Sequence, residues 1–198
     1  MAKAAPVSST IQLPKFDLRT MEIRLIGDSP LICHAWSKKA KQQMLDKQMK
    51  KAKEAKSAKD PEQDFRDSLY PLEGGGYGFP AVAFKAAAVD ACSHVDGITK
   101  VEARGAFHID GDMVRLIGSE PTMREDMVRV GMGTADIRYR GQFDSWQAVI
   151  AVRFNAGVLS AEQIIHLFNI AGFAIGVGEW RPQRDGSFGL FHVAKAGE

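Results

Sequence analysis

"WQAVIAVRFNAGVLSAEQIIHLFNIAGFAIGVGEWRPQRDGSFGLFHV", Trp146 to Val193, is the stretch that sets the architecture. "WQAVIAVRFN" reads as a strand. In "SAEQIIHLFNIAGFAIG", Ser160 stands at an N-cap position and Gln163 follows three residues later, a capping box that predicts a helix. After the helix come glycines, arginines and a tryptophan, and "GSFGLFHVA" closes as a strand. The unit is strand, helix, mobile basic loop, strand.

A matching half precedes it. "TMEIRLIGDSPLI" (20–32) alternates Met21, Ile23 and Leu25 against Glu22 and Arg24, the period of a half-buried strand. "PAVAFKAAAVDACSHV" (80–95) reads as a compact helix with Pro80 at its start. Val82, Ala86 and Val89 share one face as packing candidates, with Lys85 and Cys92 at one edge and Asp90 at the other. "KVEARGAFHIDGDMVRLIG" (100–118) gives two strand-like runs around Asp110-Gly111, a hairpin signal. The order strand, helix, strand, strand, helix, strand predicts an α+β, ferredoxin-like (RRM-like) antiparallel sheet with two helices on one face. Two large inserts interrupt this single domain of residues 1–198. One is a basic helical insert over 36–78, the other an Arg-rich, hairpin or thumb-like insert over 110–142. Within them, Pro61 is expected to end a helix beginning near Lys38, "PLEGGGYGFP" (71–80) to be a flexible hinge, and 119–143 to be irregular. Residues Met1 to Lys15 read as a loose arm.

The chain's 198 residues, 45% hydrophobic and 25% charged, suit one globular domain. No apolar run nears the roughly 20 residues of a bilayer span, and two cysteines in apolar contexts, Cys33 and Cys92, fit a reduced, cytoplasmic compartment. The net charge of +2 hides an uneven distribution. Nine lysines from Lys38 to Lys59 face only Asp46 and Glu54, so this segment carries +7 and the remainder −5. Concentrated positive charge attracts polyanions.

Three features share that chemistry. The final loop offers Gly176, Gly178, Gly186 and Gly189, where backbone N–H groups can approach an anion closely. Arg181 and Arg184 add donors matched to phosphate, and Trp180 a surface for a base. The competing reading is a flexible connection with Trp180 tucked into the core. The lysine-rich helix, with Lys38, Lys39, Lys41, Lys47, Lys50 and Lys51, would neutralise phosphates without sequence preference; alternatively it is a solvated, solubilising helix. On the second insert, Arg124, Arg129, Arg138 and Arg140 extend the positive surface.

The loop Gly176-Val177-Gly178 followed by Gly186-Ser187-Phe188-Gly189 resembles the glycine-rich loop of the CRISPR-associated RAMP superfamily. "GFPAVAFKAAAVDA" (78–91) is similar to that superfamily's first-helix entry, with Lys85 where the pattern has its Lys. The inserts are placed like those of the backbone subunits, which polymerise along a guide RNA. The resemblance implies single-stranded RNA or DNA as partner, RNA favoured, and a homo-oligomer or filament; a phage-encoded or stand-alone relative fits equally. Two departures matter. Pro80 is followed by Ala81-Val82-Ala83 rather than a Gly-Ser-Ser turn, and Asp28 differs in context from the Asp of the slicing members, so nuclease activity is not carried over.

Other chemistries find less support. "WQAVIAVRFN" lacks the aromatic run by which an RRM stacks RNA. His34 or His108 could act as a base in a metal-independent endoribonuclease, whereas His166 and His192 read as packed or edge positions. Cys33, His34, Cys92 and His94 lack zinc spacing, and neither a P-loop nor a G-x-S-x-G motif occurs. The expectation is therefore a non-enzymatic binder of single-stranded nucleic acid, largely sequence-independent, with no catalytic residue, metal, cofactor or membrane. The alternatives are the endoribonuclease and a phage protein-interaction module acting on a CRISPR-type complex.

Overall fold

The computed structural model describes residues 16–36, 38–51, 58–131 and 133–198. The expected N-terminal arm, Lys53 and Lys56, and the side chains of Lys38 and Lys39 lie outside the described residues.

The elements run β1 (Leu18–Gly27), β2 (Leu31–Ile32), α1 (Lys38–Gln48), α2 (Pro61–Asp67), β3 (Gly78–Pro80), α3 (Ala81–Ala91), α4 (Lys100–Ala106), β4 (Phe107–Ile109), β5 (Met113–Gly118), β6 (Thr122–Val130), β7 (Thr134–Phe143), β8 (Trp146–Asn155), α5 (Ala161–Ile170) and β9 (Phe191–Val193). They make an α+β chain with two antiparallel sheets. The larger has the order β3-β5-β8-β1-β9, with β4 also on β8; the smaller is β2-β7-β6.

β8 anchors the larger sheet. Its period-2 pattern buries Trp146, Ala148, Ile150, Val152 and Phe154 and leaves Val149 and Arg153 exposed. Opposite, Ile23 and Leu25 of β1 are buried as their alternation predicts. Both aromatics of β8 thus serve the core, and the open face of the strand carries Gln147, Val149, Ala151 and Arg153, none of them aromatic. α5 keeps its capping box, with Ser160 Oγ accepting from Gln163 N at 3.2 Å and Gln163 Oε1 accepting from Ser160 N at 2.8 Å.

Of the three packing candidates on α3, Val89 is buried as expected, but Val82 and Ala86 turn outward. Val82 is 70% exposed and Ala86 is exposed, whereas Ala81, Phe84, Ala87, Ala88, Val89 and Ala91 are buried. Phe84 decides this. Its ring sits 5.9, 6.3 and 6.1 Å from those of Phe79, Trp146 and Phe191, and a phenyl buries far more apolar area than the Val82 side chain.

The hairpin expected at Asp110-Gly111 does not form. Lys100–Ala106 is helical, capped by Thr99 and Glu102, and β4 and β5 both run along β8 instead of pairing with each other. Asp110 N still donates to Ala151 O at 2.9 Å, so Asp110–Gly111 is a break within one edge of the sheet. Pro61 opens α2 rather than ending a helix, with Asp60 as N-cap accepting from Gln63 N at 3.1 Å. α1 stops at Gln48, and Lys50 takes a φ of 54°. The expected hinge is an ordered turn: Leu72 N donates to Gly76 O at 3.1 Å and Arg115 to Gly75 O at 2.8 Å. Finally, 122–143 is no irregular stretch but the regular hairpin β6-β7, in register from Thr122↔Gln142 to Val130↔Thr134. No helix among the described residues is long and apolar enough to cross a membrane.

Candidate nucleic-acid interface

α5 runs into a π turn, Ala171–Ile175, and the glycine loop follows. The loop is tied down rather than mobile. Val177 N donates to Gly189 O at 3.0 Å, Phe188 N to Trp180 O at 3.0 Å, and Gly186 N to Arg181 O at 3.2 Å, so its two arms fold against each other. Glu179 N and Gly189 N reach across to Ile32 O and Pro30 O, at 3.0 and 2.8 Å, fixing the loop to the β1–β2 connection. Its glycines therefore have a packing role. A Cβ at Gly189, where φ is +67°, would lie 1.8 Å from Val177 O, and one at Gly186 would lie 1.7 Å from Trp180 O. The N–H groups of Gly176, Gly186 and Gly189 are already used inside the protein, which leaves phosphate contact chiefly to side chains.

This folding presents three of the expected side chains together. Trp180 takes a left-handed φ of 53° and is 38% exposed, so it is not tucked into the core. Arg184 is exposed at the end of a short 3₁₀ turn, Pro182–Arg184. Arg181 is half-buried and held in place, donating to Gly178 O at 3.0 Å and to Gln183 Oε1 at 3.2 Å. Gln183 in turn donates to Asp90 of α3 at 2.8 Å.

The β6-β7 hairpin docks on the same loop. The Arg124 guanidinium lies 4.7 Å from the ring centre of Phe188 and also donates to Asp126 at 2.8 Å. Arg140 is only 5% exposed. It donates to Asp126 at 3.2 Å and stands 3.8 Å from Glu179, and its Nε has no partner among the described residues. Arg124 and Arg140 are thus pillars under the loop, not free phosphate binders. Arg138 pairs with Asp136 at 2.7 Å, and Arg129 is exposed near the end of the hairpin. Lys59 also pairs with Asp136, joining the basic insert to the hairpin.

Two clefts flank the loop and share Glu179 and Arg181. One, of about 390 Å³, is lined by Val128, Arg140, Trp180 and Arg184 besides the shared pair. The other, of about 320 Å³, lies between the loop and α3, against Ala83, Ala86 and Ala87, with His34, Asp90 and Gln183 among its polar groups. His34 Nδ1 is 3.2 Å from Glu179 Oε1. That hydrogen bond, with Arg140 nearby, outweighs burial and holds the Glu179 carboxyl below its usual range. Lys100 does the same for Asp90, with help from Gln183.

Other expected residues stand apart. Lys85 points away from this cleft, its amine 3.1 Å from Arg104 O and 3.0 Å from His108 Nδ1, and burial pushes its pKa down. Lys41, Lys47, Lys50 and Lys51 are exposed, and α1 has no buried residue among the described ones. Lys51 pairs with Asp46 at 3.0 Å. His166 is exposed rather than packed, and His192 Nδ1 lies 2.7 Å from Asp28 at the sheet edge. Burial pushes the Cys33 thiol up to about 12, so it is no nucleophile at neutral pH. Among the described residues no cluster of three or more His, Cys, Asp or Glu is placed to hold a metal. Sequence reasoning gave no role to Glu179 or to Phe188, a variable position of the loop motif; only their partners across the fold, His34 and Arg124, give them meaning.

No family model matches this chain, and no curated protein matches it. Among solved structures it is similar to the crystal structure of Cmr6 from Pyrococcus furiosus, at 10% identity and a TM-score of 0.49, over 91% of this chain and 100% of that one. It is also similar to a chain in the cryo-EM structure of the Type III-B Cmr-beta bound to cognate target RNA, at 10% identity and a TM-score of 0.49, over 90% of this chain and 60% of that one.

Proposed function

We propose that this chain is a non-enzymatic, largely sequence-independent binder of single-stranded nucleic acid, RNA in preference to DNA, that assembles in several copies along the strand in the cytoplasm. The observation that carries the reading is the larger cleft. It gathers Arg181, Arg184 and Trp180 from a loop held by its own hydrogen bonds, over a buried Arg140 with an unpartnered Nε. The fixed Arg181 guanidinium and the exposed one of Arg184, beside an exposed indole, offer a phosphate its donors and a neighbouring base its stacking surface. The exposed lysines of α1 and Arg129 at the hairpin would extend the contact along the strand. We read the order β5-β8-β1-β9, with α3 and α5 between its strands in the chain, as the ferredoxin-like arrangement, and 36–78 and 110–142 as its inserts. RNA is favoured by the resemblance of the loop and of the α3 entry to the RAMP superfamily.

The test is the salt dependence of binding to a short single-stranded RNA, followed by fluorescence anisotropy. Each neutralised phosphate should add about 0.7 to the slope of log K against log salt. A steep slope with single-stranded preference is expected; a flat slope, or equal binding of duplex, sinks the reading.

A second reading draws on the His34–Glu179 pair in the alanine-walled cleft. A carboxylate that orients an imidazole is the arrangement of a general base, so a metal-independent endoribonuclease would use His34. It would not use His108, which is paired with Lys85 away from the cleft. Cleavage products that vanish in His34→Ala while binding persists would establish this reading over the first.

A further inference from the structure

The two clefts differ in chemistry although they share Glu179 and Arg181. The larger is rich in arginine. The other has an alanine wall from α3, faced by Ile175 and Val177 of the loop, and is apolar enough to receive a flat ring. Its two carboxylates are unevenly committed. Asp90 engages Lys100 through Oδ1 and Gln183 through Oδ2, each at 2.8 Å. Glu179 engages His34 through Oε1, but among the described residues Oε2 has only Arg140 at 3.8 Å, beyond hydrogen-bond range. An ionised carboxylate accepts and never donates, while a guanidinium donates and never accepts. Glu179 and Arg181 therefore place an acceptor and a donor side by side where the two clefts meet.

The geometry points to a base slot: the alanine-walled cleft takes one base of the bound strand, and the Glu179 carboxylate with the Arg181 guanidinium selects guanine there. This rests on the single-strand-binding reading above and adds a specificity at one position per copy. Guanine alone among the four bases carries two adjacent donors, N1–H and the N2 amino group, next to an acceptor, O6. Glu179 Oε2 takes one donor, Oε1 takes the other through the lone pair that His34 leaves open, and the guanidinium takes O6. Adenine and cytosine offer one amino donor beside a ring acceptor. Uracil has one N–H between two carbonyls, and either carbonyl would face the carboxylate without a proton between them. A polar site built for one hydrogen-bonding edge rejects analogues that lack it, because its own groups are left unpaired. The phosphate of the same nucleotide would lie in the adjoining cleft, against the exposed Arg184.

The experiment is a competition in which a labelled oligouridine is displaced by unlabelled strands of equal length, all-uridine or with one central guanosine, adenosine or cytidine. The guanosine strand should compete about tenfold better than the all-uridine strand, the lower range for one bidentate base contact. Glu179→Gln, whose amide offers one donor and one acceptor, should bring that ratio close to one while the oligouridine still binds. Glu22→Gln, an exposed carboxylate on β1 that lines neither cleft, should keep the preference. Equal competition by all strands on the unmodified protein overturns the slot and leaves strand binding intact. A guanosine preference that persists in Glu179→Gln overturns the assignment to Glu179. Failure to bind any strand removes the proposed function as well. Should Glu179→Gln not fold, guanosine against uridine monophosphate on the unmodified protein decides the preference.

Discussion

Gly189→Ala will destabilise the protein by about 3 kcal/mol, a fall in Tm of about 6 to 12 °C for a domain of this size. Two costs add. A side chain at φ +67° pays the left-handed penalty of about 1–2 kcal/mol. The new Cβ would also lie 1.8 Å from Val177 O, so the two arms of the loop must separate. That motion breaks or lengthens the bonds from Val177 N to Gly189 O and from Gly189 N to Pro30 O, each worth about 1 kcal/mol net. Gly186→Ala should act in the same direction through its clash with Trp180 O. Gly105→Ala is the matched control: it lies in α4, its Cβ would meet nothing within 4 Å, and helix propensity predicts no loss. Thermal unfolding followed by circular dichroism measures all three. A Gly189→Ala protein as stable as the Gly105→Ala one would show that the loop is not the folded unit described here.

The second large effect concerns binding. Replacing Arg181 and Arg184 together with Ala should reduce the salt slope by about 1.4, two phosphates at 0.7 each. It should also weaken single-strand affinity on the order of a hundredfold, since each hydrogen bond to a charged group contributes about 1.5 kcal/mol. Arg184 is exposed and Arg181 is positioned by Gly178 O and Gln183, so their loss empties the larger cleft of its accessible charge while Arg140 stays buried. Lys85→Ala should leave the slope unchanged, because Lys85 faces Arg104 O and His108 on the other side of α3. An unchanged slope in the double arginine variant removes the loop from the interface. A flattened slope in Lys85→Ala would show that the strand runs over the far side of α3.

Local signals read well wherever one rule acted alone. The alternation in β8 and β1 and the Ser160–Gln163 box located those elements, because burial on one face and capping at one end are properties of the segment itself. Readings failed where two rules competed. Around Asp110-Gly111 the turn residues suggested a hairpin, yet β8 offers both flanking runs a longer ladder, and the Thr99–Glu102 box, equally visible in sequence, made the first run a helix. On α3 the β-branched residues suggested a face, but Phe84 buries more apolar surface and turned the helix. Pro61 does not end a helix but is the first helical residue after the Asp60 N-cap. The interface was legible as a composition, glycines with arginines and a tryptophan. Its geometry was not, because Glu179 meets His34 across 145 residues of chain and Arg124 reaches Phe188 from another sheet. Such pairings exist only once the sheets have formed.

The most direct test of the central claim is the ratio of absorbance at 260 and 280 nm of the protein purified at moderate salt without nuclease, taken with its light-scattering mass. Binding in several copies along a strand predicts a ratio well above that of protein alone and a large, polydisperse mass, both lost on digestion with ribonuclease. A protein-like ratio with the mass of a single chain would contradict it.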